Sequence, residues 1–411
     1  MSALALILND LGESVLGSDV EEYYITEEPL LERNIEILNF NINNLREDYT
    51  YIIGNAFLKH FETIYIKEMK FRHFLYQDFI NEYFNDSYRK IAVSGTHGKT
   101  TTTKIISDMF KASNQKINTL IGDGTGFGSK DNKTILFEAC EYRKHFLSYS
   151  PDILVITNIE LDHVDYFKDE EEVVSTFQSL AEKSRLVIYN GDCPNCQKLD
   201  VHEKITFGKS SQSNCQYHIL DDTEGYHVRI DFLGKTTFFK LPFYGIYMIE
   251  NFLAAYIVAR INGIETKFIN EMLNDFQMPK RRMSEYNLPG NKLLIDDYAH
   301  HPKEIEVTLK AIKRKYPEHQ LYTIFQPHTY SRFKHFYQEI LKALAVSDIF
   351  YITEPFSSAR NDSKNNKLIP KSLKFDSKYI PEILGKEDSI IVFMGAGDIN
   401  NLLYESMKKF S

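Results

Sequence analysis

The sequence predicts an α/β protein of three domains, and three observations carry that prediction. The chain has 411 residues, room for two or three domains at about 150 residues each, every one large enough for its own apolar core. The strand Lys90-Ile91-Ala92-Val93 runs straight into Ser94-Gly95-Thr96-His97-Gly98-Lys99-Thr100-Thr101 and then a helix from Thr102 to about Ala112. The last third alternates strand and helix patterns cleanly, as a doubly wound sheet does.

Composition narrows the function classes. Hydrophobic residues make up 43% and charged residues 26%, and 57 acidic against 48 basic side chains leave a net charge of −9, which argues against nucleic acid as a general partner. A local anion site stays open. No apolar stretch approaches the roughly 20 residues of a membrane helix, and no basic lead precedes an apolar run at the N-terminus. Stable membrane insertion is therefore not expected, and the chain reads as soluble and cytoplasmic. Cys140, Cys193, Cys196 and Cys215 offer one isolated C-x-x-C rather than the two halves of a four-thiolate zinc site, and Asn190–Asn195 reads mainly as a turn.

The first domain, 1–86, opens on Met1–Leu8, the inside of an amphipathic helix, followed by a short strand ending at Gly17-Ser18-Asp19. Helical material with Leu30 and Leu31 precedes apolar strands at Ile35–Leu38 and Tyr51–Ile53. This alternation fits a small nucleotide-binding α/β domain without its first strand and Gly-rich loop. In the second domain, 87–278, further strands are expected at Thr134–Phe137, Ile153–Thr157 and Leu186–Tyr189 and around His218–Leu220 and His227–Phe232. Helices are expected near Glu170–Glu182 and Ile249–Ile261, and the Pro-containing link Asp275–Lys280 marks the next boundary. The third domain, 279–411, places strands at Lys292–Ile295, Leu321–Phe325, Ile349–Thr353 and Ile390–Phe393, separated by helices at Lys303–Lys315, Phe333–Val346 and Tyr379–Leu384. The polar, asparagine-rich run Arg360–Lys367 is the candidate flexible loop.

The strongest chemical signal is Gly95-Thr96-His97-Gly98-Lys99-Thr100. Small residues free backbone N–H groups at a helix start, Lys99 can reach terminal phosphates, and a Thr hydroxyl can ligate magnesium. Its G-x-x-G-K-T spacing is two residues shorter than the general phosphate-loop pattern, so a capped turn is the plain alternative. Glu138 follows one apolar strand, and Glu160, Asp162 and His163 follow another; carboxylates so placed suit magnesium bridging phosphate oxygens. Glu138 and His163 are the ligand candidates, against a loop-ordering role for His163 and a helix-capping role for Asp162 and Asp165. Arg281-Arg282 at the domain junction can clamp an anion or form a solvated positive patch. Three strand ends of the last domain carry Asp296-Asp297-Tyr298-Ala299-His300-His301-Pro302, Gln326-Pro327-His328-Thr329-Tyr330-Ser331-Arg332 and Gly395-Ala396-Gly397-Asp398. They form a face for a small substrate and a nucleotide, with one of His300 and His301 open to a buried capping role.

These motifs, SGTHGKTTTT, FEACEYRKHFLSYSPDILVITNIELDHVDYF, KRRM, LIDDYAHHPKEI, FQPHTYSR and FMGAGDI, resemble the Mur ligases over essentially the whole chain, and among them the members that join L-alanine to UDP-N-acetylmuramate. The resemblance implies a Rossmann-like N-terminal domain for the UDP-sugar, a central P-loop ATPase-like domain and a C-terminal Rossmann-like domain for the amino acid. It implies ATP and Mg2+ as cofactors and an acyl-phosphate route, with Lys99, His163, Arg282 and His301 catalytic. Gly95 to Thr101, Asn251, Arg282 and Asp297 would bind the nucleotide, Thr100, Glu138 and His163 the metal, and Ser18, Asp19, His328, Tyr330 and Arg332 the substrates. Arg332 is the expected partner of the alanine carboxylate. A related ligase for another amino acid or peptide and a noncatalytic nucleotide-binding remnant are the alternatives; a monomer or weak homodimer is expected. Family members begin with a strand and G-x-x-G-x-G-M-S-A-L, so the pyrophosphate-cradling loop is expected to be absent ahead of Met1-Ser2-Ala3-Leu4. Tyr247 and Met248 stand where the family commonly has His and Asn near the adenine, and Thr329 where a basic residue is frequent.

Overall fold

A computed structural model describes residues 1–20, 26–223, 225–356 and 369–410; Arg360–Lys367 lies outside the described residues. The chain divides into two compact units, Met1–Glu160 with Glu170–Pro242 and Glu250–Phe276, and Leu161–Asp169 with Phe243–Ile249 and Gln277–Ser411.

In the first unit, helix Ser2–Asp10 buries Ala3, Leu4, Leu6, Ile7 and Leu8, as its apolar run requires. It lies so close to the short strand Gly126–Phe127 that any Cβ at Gly126 would collide with the Ala3 carbonyl. Asp10 closes the contact, accepting from Gly128 N at 3.0 Å and from Arg33 Nε at 3.1 Å. Leu16–Asp19 pairs in parallel with Glu36–Asn39, setting Ser18 opposite Leu38 and Asp19 opposite Asn39. Tyr51–Ile53 pairs in parallel with His73–Leu75.

The rest of this unit is built on a ten-stranded sheet. From one edge its order is Gly126–Phe127, Asn118–Leu120, Thr134–Glu138, Arg89–Ser94, Ile153–Ile156, Leu186–Asn190, Lys204–Gly208, Cys215–Asp221, Tyr226–Phe232 and Lys235–Leu241. The seven strands from Asn118–Leu120 to Cys215–Asp221 are parallel, and antiparallel pairing adds the remaining strands at the two edges. Arg89–Ser94 lies between Thr134–Glu138 and Ile153–Ile156, so the three chemically marked loops leave neighbouring strands at their carboxyl ends. The strands expected in this sheet are present; the pattern reading missed Asn118–Leu120, Gly126–Phe127, Lys204–Gly208 and Lys235–Leu241 within it, and His73–Leu75 beside Tyr51–Ile53.

The second unit carries a five-stranded sheet in the order Ser284–Leu288, Lys292–Asp297, Ser389–Met394, Gln320–Phe325, Ile349–Ile352, with only the first strand antiparallel to its neighbour. Strand residues alternate between two cores: Leu293, Ile295, Leu321, Ile390 and Val392 face one, and Leu294, Tyr322, Ile324, Ile391 and Phe393 the other. Pro302–Lys315 and Tyr337–Leu344 cover the first face; Tyr379–Leu384 and Ile399–Phe410 cover the second. Burial of both faces explains the continuous apolar strands, each large side chain contributing roughly 1.5–3 kcal/mol. The single helix expected over Phe333–Val346 is two, Tyr330–His335 and Tyr337–Leu344, because Phe336 at φ −99°, ψ 23° interrupts the helical run.

Candidate active site

In the first unit, the loop Gly95–Gly98 is fixed by glycine geometry and by the neighbouring strand. Gly95 has φ +131°, and a Cβ there would overlap the Thr157 hydroxyl. Gly98 has φ +83° and caps helix Lys99–Ala112, which starts three residues earlier than the apolar pattern suggests. A Cβ at Gly98 would sit 2.5 Å from Asn251 Oδ1, so Asn251 packs directly over the loop. Thr96 N donates to Asn158 O at 3.0 Å, and its hydroxyl donates to Glu160 O at 3.1 Å while accepting from Glu160 N at 2.8 Å. His97 N donates to Asn158 Oδ1 at 2.9 Å, and Thr157 Oγ1 donates to His97 O. The first N–H groups of a helix have no intrahelical acceptor, so this turn presents donors and the positive helix end to an anion.

Lys99 Nζ donates to Gly95 O at 2.6 Å, Thr96 O at 3.1 Å and Glu141 Oε2 at 3.1 Å. Burial pulls the ammonium pKa down, but the negative charges around it, Glu141 foremost, more than offset this and hold it above the ordinary lysine value. Thr100 Oγ1 donates to Glu138 Oε2 at 3.1 Å, and Gly122 N donates to the other carboxylate oxygen. Burial raises the Glu138 pKa, against the Gly122 N–H, Lys99 and Thr100. A hydroxyl and a carboxylate converging in this way form a hard-oxygen donor pair that suits Mg2+. Thr101 is buried on the core side of the helix. Glu141 is a member of the group that pattern reading missed; its signal was its position three residues past Glu138 in the same loop.

The second unit brings its three marked strand ends side by side, since Ser389–Met394 lies between Lys292–Asp297 and Gln320–Phe325. Arg281 is built into this frame: it donates to Gly395 O at 2.7 Å and Gly397 O at 2.9 Å and reaches Asp296 Oδ1 at 3.3 Å. Asp297 accepts from Ala299 N and Met283 N, both at 2.9 Å, and burial pushes its carboxyl up to about 6 despite nearby Arg282. Arg282 lies 3.8 Å from Glu304 and over the Tyr298 ring. Of the two adjacent histidines, His301 caps helix Pro302–Lys315: its Nδ1 accepts from Lys303 N at 3.4 Å, and Glu304 reaches back to the His301 backbone in a reciprocal box. His300 Nδ1 lies 3.1 Å from Tyr298 O, and burial pushes its pKa down to about 3. His328 stacks on Phe356 with a centroid separation of 5.9 Å, and Tyr330 opens the short helix that carries Arg332. Arg332 binds Asp162 through Nε at 2.9 Å and Nη2 at 3.2 Å. Asp162 therefore forms an ion pair rather than capping the following helix, which begins at Glu170. His163, at φ +51°, lies in the Leu161–Asp169 segment of this unit, whereas Thr100 and Glu138 belong to the other. Tyr247 is half-buried, with its hydroxyl 3.9 Å from Met283 Sδ. Ser18 and Asp19 end their strand in the first unit, where Asp19 Oδ1 accepts from Val20 N at 2.9 Å.

Residues 1–88 match the Mur ligase family catalytic domain, 93–259 the Mur ligase middle domain and 281–397 the Mur ligase glutamate ligase domain, together spanning nearly the whole chain. The chain belongs to the Mur ligase family. This Mur ligase has its relatives' three-domain architecture. The UDP-N-acetylmuramate-alanine ligase of Thermotoga maritima superposes with a TM-score of 0.84 over 100% of this chain and 96% of that one, at 24% identity. The murein peptide ligase of Psychrobacter arcticus gives 0.73 at 21% identity, covering 99% and 96%, and the pseudomurein peptide ligase type C of Methanothermus fervidus 0.66 at 18%, covering 99% and 97%. At these identities the superpositions establish the shared fold. Among the described residues, no helix is long and apolar enough to cross a membrane.

Proposed function

We propose that this Mur ligase joins L-alanine to the carboxylate of UDP-N-acetylmuramate in the cytoplasm, consuming ATP and releasing ADP and phosphate. What supports this reading is the presence, in one Mur ligase family chain, of Lys99 and the hydrogen-bonded Thr100–Glu138 pair together with the DDYAHHP and QPHTYSR strand ends. Domains 1–86, 87–278 and 279–411 serve the UDP-sugar, ATP and the amino acid respectively. Ser18 and Asp19 face the UDP-sugar, and Asn251 borders the nucleotide.

The chemistry is a sequence of two displacements. The muramate carboxylate oxygen attacks the terminal phosphorus of ATP, expelling ADP; the alanine amine then attacks the acyl carbon, expelling phosphate and losing a proton. No enzyme nucleophile is needed, so positioning and charge neutralisation supply the acceleration. Lys99 exchanges its carbonyl and Glu141 partners for phosphate oxygens, meeting charge as it moves onto the leaving groups. Thr100, Glu138 and His163 would be the residues to hold Mg2+, which when bound would supply Lewis-acid charge neutralisation. Arg282 and Asp297 contact the nucleotide side of the C-terminal frame, and His301, His328 and Tyr330 order the acceptor side.

Mass spectrometry of reactions containing ATP, Mg2+ and UDP-N-acetylmuramate, with L-alanine, other amino acids or short peptides, tests the assignment. Rapid formation of one new amide with L-alanine is expected. Preference for a peptide would identify another ligation, and no amide from folded protein would leave the nucleotide-binding remnant.

A further inference from the structure

Arg332 and Asp162 are both almost excluded from solvent, each side chain 7% exposed, and they meet across 170 residues of sequence. Two parallel N–H donors engage the two oxygens of one carboxylate, and Arg332 Nη1 also reaches His328 O at 3.5 Å. That geometry is the fork with which arginine recognises a free carboxylate, here already filled by a protein group. Asp162 has a second task. Its Oδ1 accepts from His163 N at 2.7 Å, and His163 O in turn accepts from Tyr166 N at 2.7 Å and Phe167 N at 3.0 Å. The pair thus anchors a tight turn in which His163 is held at φ +51°, a conformation that costs a non-glycine residue energy unless its surroundings enforce it.

We propose that Arg332 is a positioning residue: its fork holds the Asp162 carboxylate instead of a substrate carboxylate and so fixes the backbone of His163. Helix Tyr330–His335, from the amino-acid-binding domain, thereby sets the turn that presents a metal ligand. The inference rests on the ligase reading for the metal role of His163; the ion pair and the turn stand independently of it. Breaking the pair leaves a buried charge without its partner, so the turn loosens even where the rest of the domain stays folded.

The test uses Arg332→Lys, which keeps the charge but loses the fork, and Asp162→Asn, which acts from the other end. Three readouts are taken on the full chain: hydrogen exchange of 161–169, binding of Mn2+ in the presence of ADP, and KM for L-alanine. Both variants are expected to speed exchange of the 163–167 amides by about tenfold or more and to weaken Mn2+ binding, with KM for L-alanine within about twofold of the parent. A rise in KM for L-alanine in Arg332→Lys with unchanged loop exchange would make Arg332 a substrate contact and overturn the proposal. Unchanged exchange in Asp162→Asn, or faster exchange with unaltered Mn2+ affinity, overturns it equally. If the parent makes no amide, the ligase reading fails separately, because exchange and Mn2+ binding still report on the pair.

Discussion

Lys99 illustrates how much a single side chain can be read in advance. Its place after Gly98 at a helix start predicted a phosphate partner; the structure adds that Gly95 O, Thr96 O and Glu141 hold the ammonium in the meantime. Replacing Lys99 with Ala should lower kcat for amide formation by at least about 10²-fold, as loss of a charge-stabilising donor does; steady-state rates with saturating ATP decide it, and a normal kcat removes Lys99 from the chemistry. At Gly98, the φ of +83° and the nearby Asn251 amide leave no room for a side chain. Gly98→Ala should destabilise the protein by about 1–3 kcal/mol in urea unfolding and raise the KM for ATP. Glycine and lysine positions were legible because their chemistry is local. Glu141 and the Asp162–Arg332 pair were not, because a carboxylate's partner lies far away in sequence, 42 residues for Glu141 and 170 for Asp162.

At the level of elements, helix Pro302–Lys315 shows a signal present in the sequence but divided between two readings. The pattern His301-Pro302-Lys303-Glu304 is a cap followed three residues later by Glu, with Pro at the first helical position, and the structure forms the full reciprocal box. Glu304 also approaches Arg282 at 3.8 Å. Glu304→Ala should therefore cost about 1–2 kcal/mol, measured by thermal or urea unfolding, with Glu304→Gln recovering part of it; an unchanged midpoint would mean that the box contributes nothing. Parallel strands buried on both faces were readable as continuous apolar runs, and their helices as periodic ones. Three of the missed strands are of a different kind. Asn118–Leu120 has three residues and Gly126–Phe127 two, too short for a period to register, and Lys235–Leu241 is an edge strand with Phe238 exposed. Phe336 splits a helix at a residue with no Gly or Pro to announce it.

For the molecule as a whole, two groups whose pKa values are shifted by desolvation give opposing responses to acid. His300 is held down to about 3, so below about 6.5 the unfolded chain binds a proton that the folded one does not, and stability falls as pH falls. Asp297 is raised to about 6, so between about 6 and 4 the folded chain holds the extra proton and stability rises as pH falls. Each slope approaches about 1.4 kcal/mol per pH unit within its window, and in the shared window they largely cancel. Urea midpoints across that window should fall more steeply with acid in Asp297→Asn than in the parent, and should rise with acid in His300→Asn; identical slopes in all three would refute the assignment.

The proposed ligation turns on the fate of one carboxylate oxygen. With 18O in both carboxylate positions of UDP-N-acetylmuramate, ATP, Mg2+ and L-alanine, ligation through attack of that carboxylate on phosphorus predicts phosphate carrying one 18O and an amide product retaining the other. Mass spectrometry of both products reads this directly. Unlabelled phosphate, or phosphate released without the alanyl amide, would contradict the proposed reaction.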